Sequence, residues 1–232
     1  MLVTCEHGGN SIPARYRRWF QSAASALRSH RGYDPGSLQL AHRFARAFHA
    51  PLMEETRSRL LIELNRSLGH PRLFSEFSRK LPEEMQAELL EQIYHPYREQ
   101  VRKQIRSQIG TGLKKKKVLH LSVHSFTPVM RGKTRRTDIG LLFDPARPLE
   151  IEFAAIWKRT LQRHLPGWAI HFNLPYRGIS DGFTTALRKE FSDDNYAGIE
   201  LEVNQKFVDA GSRRWKNLQD SIVSSVGDVL NR

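Results

Sequence analysis

Three stretches of this chain place metal-binding or proton-transferring side chains where apolar runs end. Val3-Thr4-Cys5 leads into Glu6-His7 and then Gly8-Gly9, residues 118–123 lead into His124, and residues 198–204 carry Glu202. A carboxylate oxygen and two imidazoles form a donor set that suits zinc with its fourth position open to water. Such a centre makes hydroxide at neutral pH and polarises a carbonyl. Glu202 then fits a general base that takes a proton from water and passes it to a leaving nitrogen. Asn65-Arg66, after the apolar run 60–64, answers a different need. A guanidinium fork holds a substrate carboxylate bidentately, and the neighbouring amide adds a hydrogen bond. Arg59, at the start of the same run, can serve either that carboxylate or the polarised carbonyl. An isolated His is more often a surface or hydrogen-bonded residue, so agreement among several loops carries this reading.

The elements that must position these residues alternate. Strands are predicted at the opening run and at 52–54, 60–64, 118–123, 138–143, 169–172 and 199–203. Helical spacing predicts helices over 15–27, from Ser37 to about Phe48, from Pro82 to Ile109, and over 151–165, 183–191 and 215–230. Pro96 falls inside the long helical segment and is expected to kink or divide it. Strands alternating with helices argue a three-layer α/β/α sandwich. Such folds keep ligands and bases at the carboxyl ends of their strands. Ser125, Thr127, Asn173, Tyr176 and Asp181 lie on loops expected to rim the same pocket, and His95 beside Pro96 is a packing or capping residue as readily as a functional one.

The 232 residues fit one domain over 1–232, without a linker or repeat to divide it. No apolar run is long enough to span a bilayer, and the N-terminus reads directly into a strand, so neither a membrane span nor a secretion signal is expected. The lone Cys5 excludes an internal disulfide and fits a reducing cytoplasm. A net charge of +13 asks whether the ligand is nucleic acid. The basic groups Arg15, Arg17, Arg18, the lysine run 114–117, and Arg131, Lys133, Arg135 and Arg136 do not interleave with aromatics as a single-strand stacking platform would, and no helix-turn-helix or zinc-finger spacing accompanies them. The lysine run reads as a solvated loop, and the charge as favouring a small anionic substrate.

The ordered motifs CEHGGNSIP, YDPGS, SRLLIELNRS, YHPYR, VHSFTP, RTDIGLLFD, NLPYRGISDG and IELEVNQ resemble the N-formylglutamate amidohydrolase family over residues 2–207. The resemblance implies a zinc-dependent amidase with a mixed central sheet, akin to the zinc carboxypeptidases and aspartoacylases. It implies that His7 and His124 take the imidazole positions, that Asn65-Arg66 hold the substrate carboxylate, and that Glu202 is the base. Those relatives carry a Glu three residues after the first His, where this chain has Asn10. Glu6 is therefore expected as third ligand, with Asp34 its rival; Glu6 shares a metal with His7 only if the backbone turns at Gly8-Gly9. Glu200 faces the same side of its strand as Glu202, which better matches the family pattern. The implied reaction is hydrolysis of N-formylglutamate to glutamate and formate. Its alternatives are another N-acyl amino acid or small peptide as substrate, or a nucleic-acid-binding protein on an inactive hydrolase scaffold.

Overall fold

The alternation of polar and apolar residues along the strands decides what each face of the sheet does. The computed structural model describes residues 1–111, 116–208 and 211–231. In chain order its strands are β1 (Leu2–Cys5), β2 (Leu52–Glu54), β3 (Val118–Phe126), β4 (Val129–Met130), β5 (Lys133–Thr134), β6 (Ile139–Leu142), β7 (Ile170–Phe172) and β8 (Tyr196–Asn204). Six of them form one sheet in the order β2-β1-β3-β8-β6-β7, while β4 and β5 make a separate hairpin. Strands β2, β1, β3 and β8 run parallel; β6 is antiparallel to β8 and parallel to β7, so the sheet is mixed. Chain order reverses at β1, with β2 on one side and β3 on the other. An α/β sheet opens a crevice at such a point.

Helices cover both faces. They are α1 (Ala24–Leu27), α2 (Ser37–Phe48), α3 (Glu83–Leu89), α4 (His95–Ile109), α5 (Pro148–His164), α6 (Phe183–Arg188) and α7 (Arg213–Leu230). One apolar core joins Phe44 of α2, Trp157 of α5 and Trp215 of α7 to Leu121, Val123, Leu201 and Val203 of the sheet. A second joins Leu89 of α3, Val101 and Ile105 of α4 and Leu187 of α6 to Leu2, Val118 and Tyr196. These two cores make the molecule a three-layer α/β/α sandwich, as its alternating elements predict. Trp157 and Trp215 are completely buried, each contributing on the order of 2–3 kcal/mol through lost apolar surface. No helix of the described residues is long and apolar enough to cross a membrane.

Period-two alternation then places every chemical side chain of the central strands on one face. His120, Ser122 and His124 of β3 stand beside Gly198, Glu200 and Glu202 of β8, while Leu121 and Val123 point into the opposite core. Two local expectations change and a third holds. The run 60–64 is a buried turn, not a strand: Leu61 N–H donates to the Ser58 carbonyl and Arg66 N–H to that of Glu63. Its apolar residues pack against α3 and α4. His124 through Phe126 continue β3 instead of entering a loop, because β8 pairs with them to its end. The long helical segment does divide, through a π turn at Leu90–Tyr94 just before Pro96. A missing proline N–H and its ring clash with the preceding turn account for the break. Lys114 and Lys115 of the lysine run lie outside the described residues; Lys116 and Lys117 are exposed.

Candidate functional site

β1 delivers Glu6 and His7 to the crevice and the chain turns at once. A side chain at Gly9 would collide with the Thr56 carbonyl, so the close passage of residues 55–56 requires glycine there. His7 O accepts from Asp34 N–H at 2.9 Å, which ties the first strand end to the turn before α2. Asp34 is thereby aimed between two imidazoles. Its Oδ2 lies 3.2 Å from His7 Nδ1 and 3.0 Å from His124 Nδ1. His7, Asp34 and His124 are all buried and each offers a ligand atom within 4.8 Å of the others. Ligands about 2.1 Å from a tetrahedral zinc stand about 3.4 Å apart, close to the two distances from Asp34 to the imidazoles.

A carboxylate also backs each ring. Glu63 hydrogen-bonds Nε2 of His7, and Glu6 Oε2 lies 3.3 Å from Nε2 of His124. This is how outer carboxylates fix the tautomer and orientation of ligating imidazoles. Glu6 therefore stands behind His124, apart from the three convergent donors. The third donor beside the histidines is Asp34, the rival residue. The physical reason is strand alternation: Glu6 keeps the polar face of β1, where Ser122 Oγ donates to it at 2.8 Å and Tyr97 OH at 3.2 Å.

Arg59 is held on three sides. It donates Nε–H to Glu63 at 2.7 Å and Nη1–H to Asp34 at 3.1 Å, with a further bond to Glu63. Burial alone would raise Asp34, but the charge of His7, hydrogen bonds with His124 and His7, and Arg59 hold it far below the usual carboxylate range. Burial likewise opposes the ionised Glu6 and Glu63. His124 outweighs it for Glu6, and Arg59 and then His7 outweigh it for Glu63. His124 is raised in turn, its burial overcome by Asp34 and Glu6.

Glu202 behaves in the opposite way. Burial raises it to about 8, against the charge of His124 and with the added repulsion of Asp34 and Glu200. It is the register partner of His124, and its Oε2 is buried without a hydrogen-bond partner among the described residues. A side chain at Gly140 across the sheet would press on the Leu174 carbonyl and Glu202 Cβ. Glu200, two residues earlier, accepts a hydrogen bond from Thr184.

The cleft over this cluster has a volume of about 310 Å³ and is lined by His7, Asp34, His124 and Glu202 below and by Asn65, Arg66 and Tyr176 above. Asn65 Oδ1 accepts from Phe183 N–H at 2.5 Å, and Arg66 Nη1–H donates to the carbonyls of Asn65 and Asp181 at 2.9 and 2.6 Å. Ser125, Thr127 and Asp181 also line it. Asn173 is absent from the lining; its Oδ1 accepts from Phe143 and Gly178 N–H and shapes the loop. His95 is exposed on α4. The sequence reading missed Glu63, Ser122, Tyr97 and Arg98. Arg98 is buried against Tyr94 and Phe183 and donates to the Leu64 carbonyl at 2.9 Å, supporting the Asn65-Arg66 turn from beneath.

A buried His-Asp-His cluster with a buried carboxyl beside it, at the carboxyl ends of β1, β3 and β8, marks an α/β protein with a hydrolase-type cleft. The chain belongs to the N-formylglutamate amidohydrolase family, whose family model matches residues 1–208. It is similar to the crystal structure of a gene product from Agrobacterium tumefaciens, with 25% identity, a TM-score of 0.80, and coverage of 99% of this chain and 91% of that one. The crystallised N-formylglutamate amidohydrolase of Ralstonia eutropha shares the fold at 15% identity, with a TM-score of 0.72 and coverage of 99% and 92%. No curated protein matches the chain.

Proposed function

We propose that this chain is a zinc-dependent amidohydrolase that cleaves the linear amide of an N-acyl acidic amino acid, with N-formylglutamate as substrate and glutamate and formate as products. The observation that carries this reading is the convergence of His7 Nδ1, Asp34 Oδ2 and His124 Nδ1 beneath a cleft that also contains Glu202. His7, Asp34 and His124 would hold the metal. Bound there, zinc supplies Lewis acidity for the scissile carbonyl and brings the pKa of water towards neutrality.

The chain's own residues do the rest. Glu202, which a cation held by the neighbouring donors would bring into its ionised form, accepts a proton from the attacking water as the water oxygen bonds the acyl carbon, then returns that proton to nitrogen as the carbon–nitrogen bond breaks. Its unpartnered Oε2 is free for this transfer. Arg66, bonded through Nη1 to carbonyls only, keeps its charge for a substrate carboxylate, with Asn65 beside it. Arg59 lines the cleft too, but its bonds to Glu63 and Asp34 make it first a positioning residue for the ligand set. The basic charge of the chain suits an anionic substrate.

The test is elemental analysis of tag-free protein together with formate release from N-formylglutamate. One zinc per chain, lost in His124→Ala, and hydrolysis of N-formylglutamate ahead of neutral N-acyl amino acids are expected. A zinc-loaded chain that hydrolyses none of them would sink the proposal.

A further inference from the structure

A second cleft of about 420 Å³ adjoins the first. The two share His30, Arg59, Arg66 and Arg72 in their walls, so the shared wall is strongly cationic. The charges in the second cleft are not balanced. Its two acids are already engaged, Glu63 by His7 and Arg59 and Glu76 by Arg31. Arg79 bonds only the Pro71 carbonyl and Arg66 bonds only carbonyls, while the Arg72 side chain has no hydrogen-bond or ion-pair partner among the described residues. The lining thus sets five arginines against two acids, and Arg72 and Arg79 have no ion pair among the described residues, while Arg66 shares its charge with Glu63 and Asp181. Phe74 and Leu60 are the apolar residues of the same lining.

A single N-acyl amino acid fits within the first cleft, and its carboxylate would end at Asn65-Arg66. Arg66 lines the second cleft as well, so that cleft adjoins the place where the amino-acid half of such a substrate would end. We infer that it is a subsite for further carboxylates, so that this protein takes acidic oligopeptides whose chain continues from the acylated residue past Arg66 and Arg72. This inference rests on the proposed amidase reading for the direction of the chain, and on the two clefts alone for the anion subsite. Aliphatic stems of acidic side chains would lie on Phe74 and Leu60 while their carboxylates meet Arg72 and Arg79.

Calorimetric titration of the zinc-loaded full chain with glutamate, α- and γ-linked triglutamate and triglutamine tests this; none of these ligands carries an N-formyl group, and chromatography after each titration checks that the peptides are recovered intact. Triglutamate in one linkage is expected to bind about tenfold tighter than glutamate or triglutamine, with the gain shrinking as salt rises. Arg72→Gln, at an exposed position, is expected to erase most of that gain, while its zinc stoichiometry and thermal midpoint report an intact fold. Triglutamate binding no tighter than glutamate, or a preference unaffected by Arg72→Gln, would overturn the subsite. If N-formylglutamate is not hydrolysed yet the Arg72-dependent preference is present, the subsite stands and the amidase reading alone fails.

Discussion

Glu6 Oε2 lies 3.3 Å from Nε2 of His124, on the side of the ring away from Asp34. A carboxylate in that place orients the imidazole and raises its basicity without touching what the ring binds. Glu6→Gln keeps the shape and removes the charge. It is expected to lower zinc affinity about 10- to 100-fold while one zinc still binds at saturation. Asp34→Asn, which alters a donor itself, should lose stoichiometric binding. Chelator competition reads both, and the opposite ranking would return Glu6 to the position of third ligand.

Glu202→Gln is expected to retain zinc and to lower kcat about 10²- to 10⁴-fold, the range associated with a lost general base. The metal-free protein gives a second readout. Burial raises Glu202 to about 8 in the fold, against 4.5 as its ordinary value. The folded state therefore holds this proton more tightly than the unfolded chain. Stability from this group falls as pH climbs from about 4.5 to 8, with a slope of about 1.4 kcal/mol per pH unit mid-window. Urea titrations across that range should show a flatter curve for Glu202→Gln and a variant more stable than the wild type at pH 8.5.

What was legible in the sequence was local. The pattern Val118-Leu-His-Leu-Ser-Val-His124 alternates with period two, so a strand with His120, Ser122 and His124 on one face can be read directly. Glu202 on a second buried strand is equally plain. The run 60–64 misleads because a continuous apolar stretch has no period to separate a strand from a buried turn. That error hid Glu63, since its partners His7 and Arg59 become visible only once the turn folds the chain back. Asp34 reads as a turn residue from its own surroundings. Its meeting with His7 and His124 spans 27 and 90 positions, and nothing in the local pattern encodes it.

His120 bridges three strands, with Nε2 at 2.8 Å from Thr4 Oγ1 on β1 and Nδ1 at 2.7 Å from Tyr196 OH on β8. Burial lowers it to about 4, with the Glu6 charge opposing and Arg188 adding to the fall. The unfolded chain takes up this proton first as pH drops. Stability from neutral His120 is present above about 6.5 and is lost as pH falls towards 4, by up to about 3 kcal/mol. His120→Ala should cost about 2–4 kcal/mol at pH 7, from the cavity and two orphaned hydroxyls. It should also flatten the acid limb relative to the wild type. Denaturant midpoints at pH 7 and pH 5 check both, and an unchanged acid limb would remove His120 as its source.

Arg98 presents a buried cation with no acidic hydrogen-bond partner among the described residues. It lies 4.2 Å from the Phe183 ring centroid and 4.9 Å from that of Tyr94, and it donates to the Leu64 carbonyl at 2.9 Å and that of Arg66 at 3.4 Å. Tyr94 OH donates to the same Arg66 carbonyl at 2.7 Å. The YHPYR segment thus grips the backbone that presents Asn65 and Arg66 to the cleft. Arg98→Met keeps much of the volume and also removes the desolvation cost of the cation, so the stability change should be small. The loosened turn should raise KM for N-formylglutamate about tenfold, or about 1.4 kcal/mol, with kcat within a few-fold of the wild type. Should kcat collapse while KM holds, Arg98 acts on the metal ligands through Glu63, and the Asn65-Arg66 turn is not what holds the substrate.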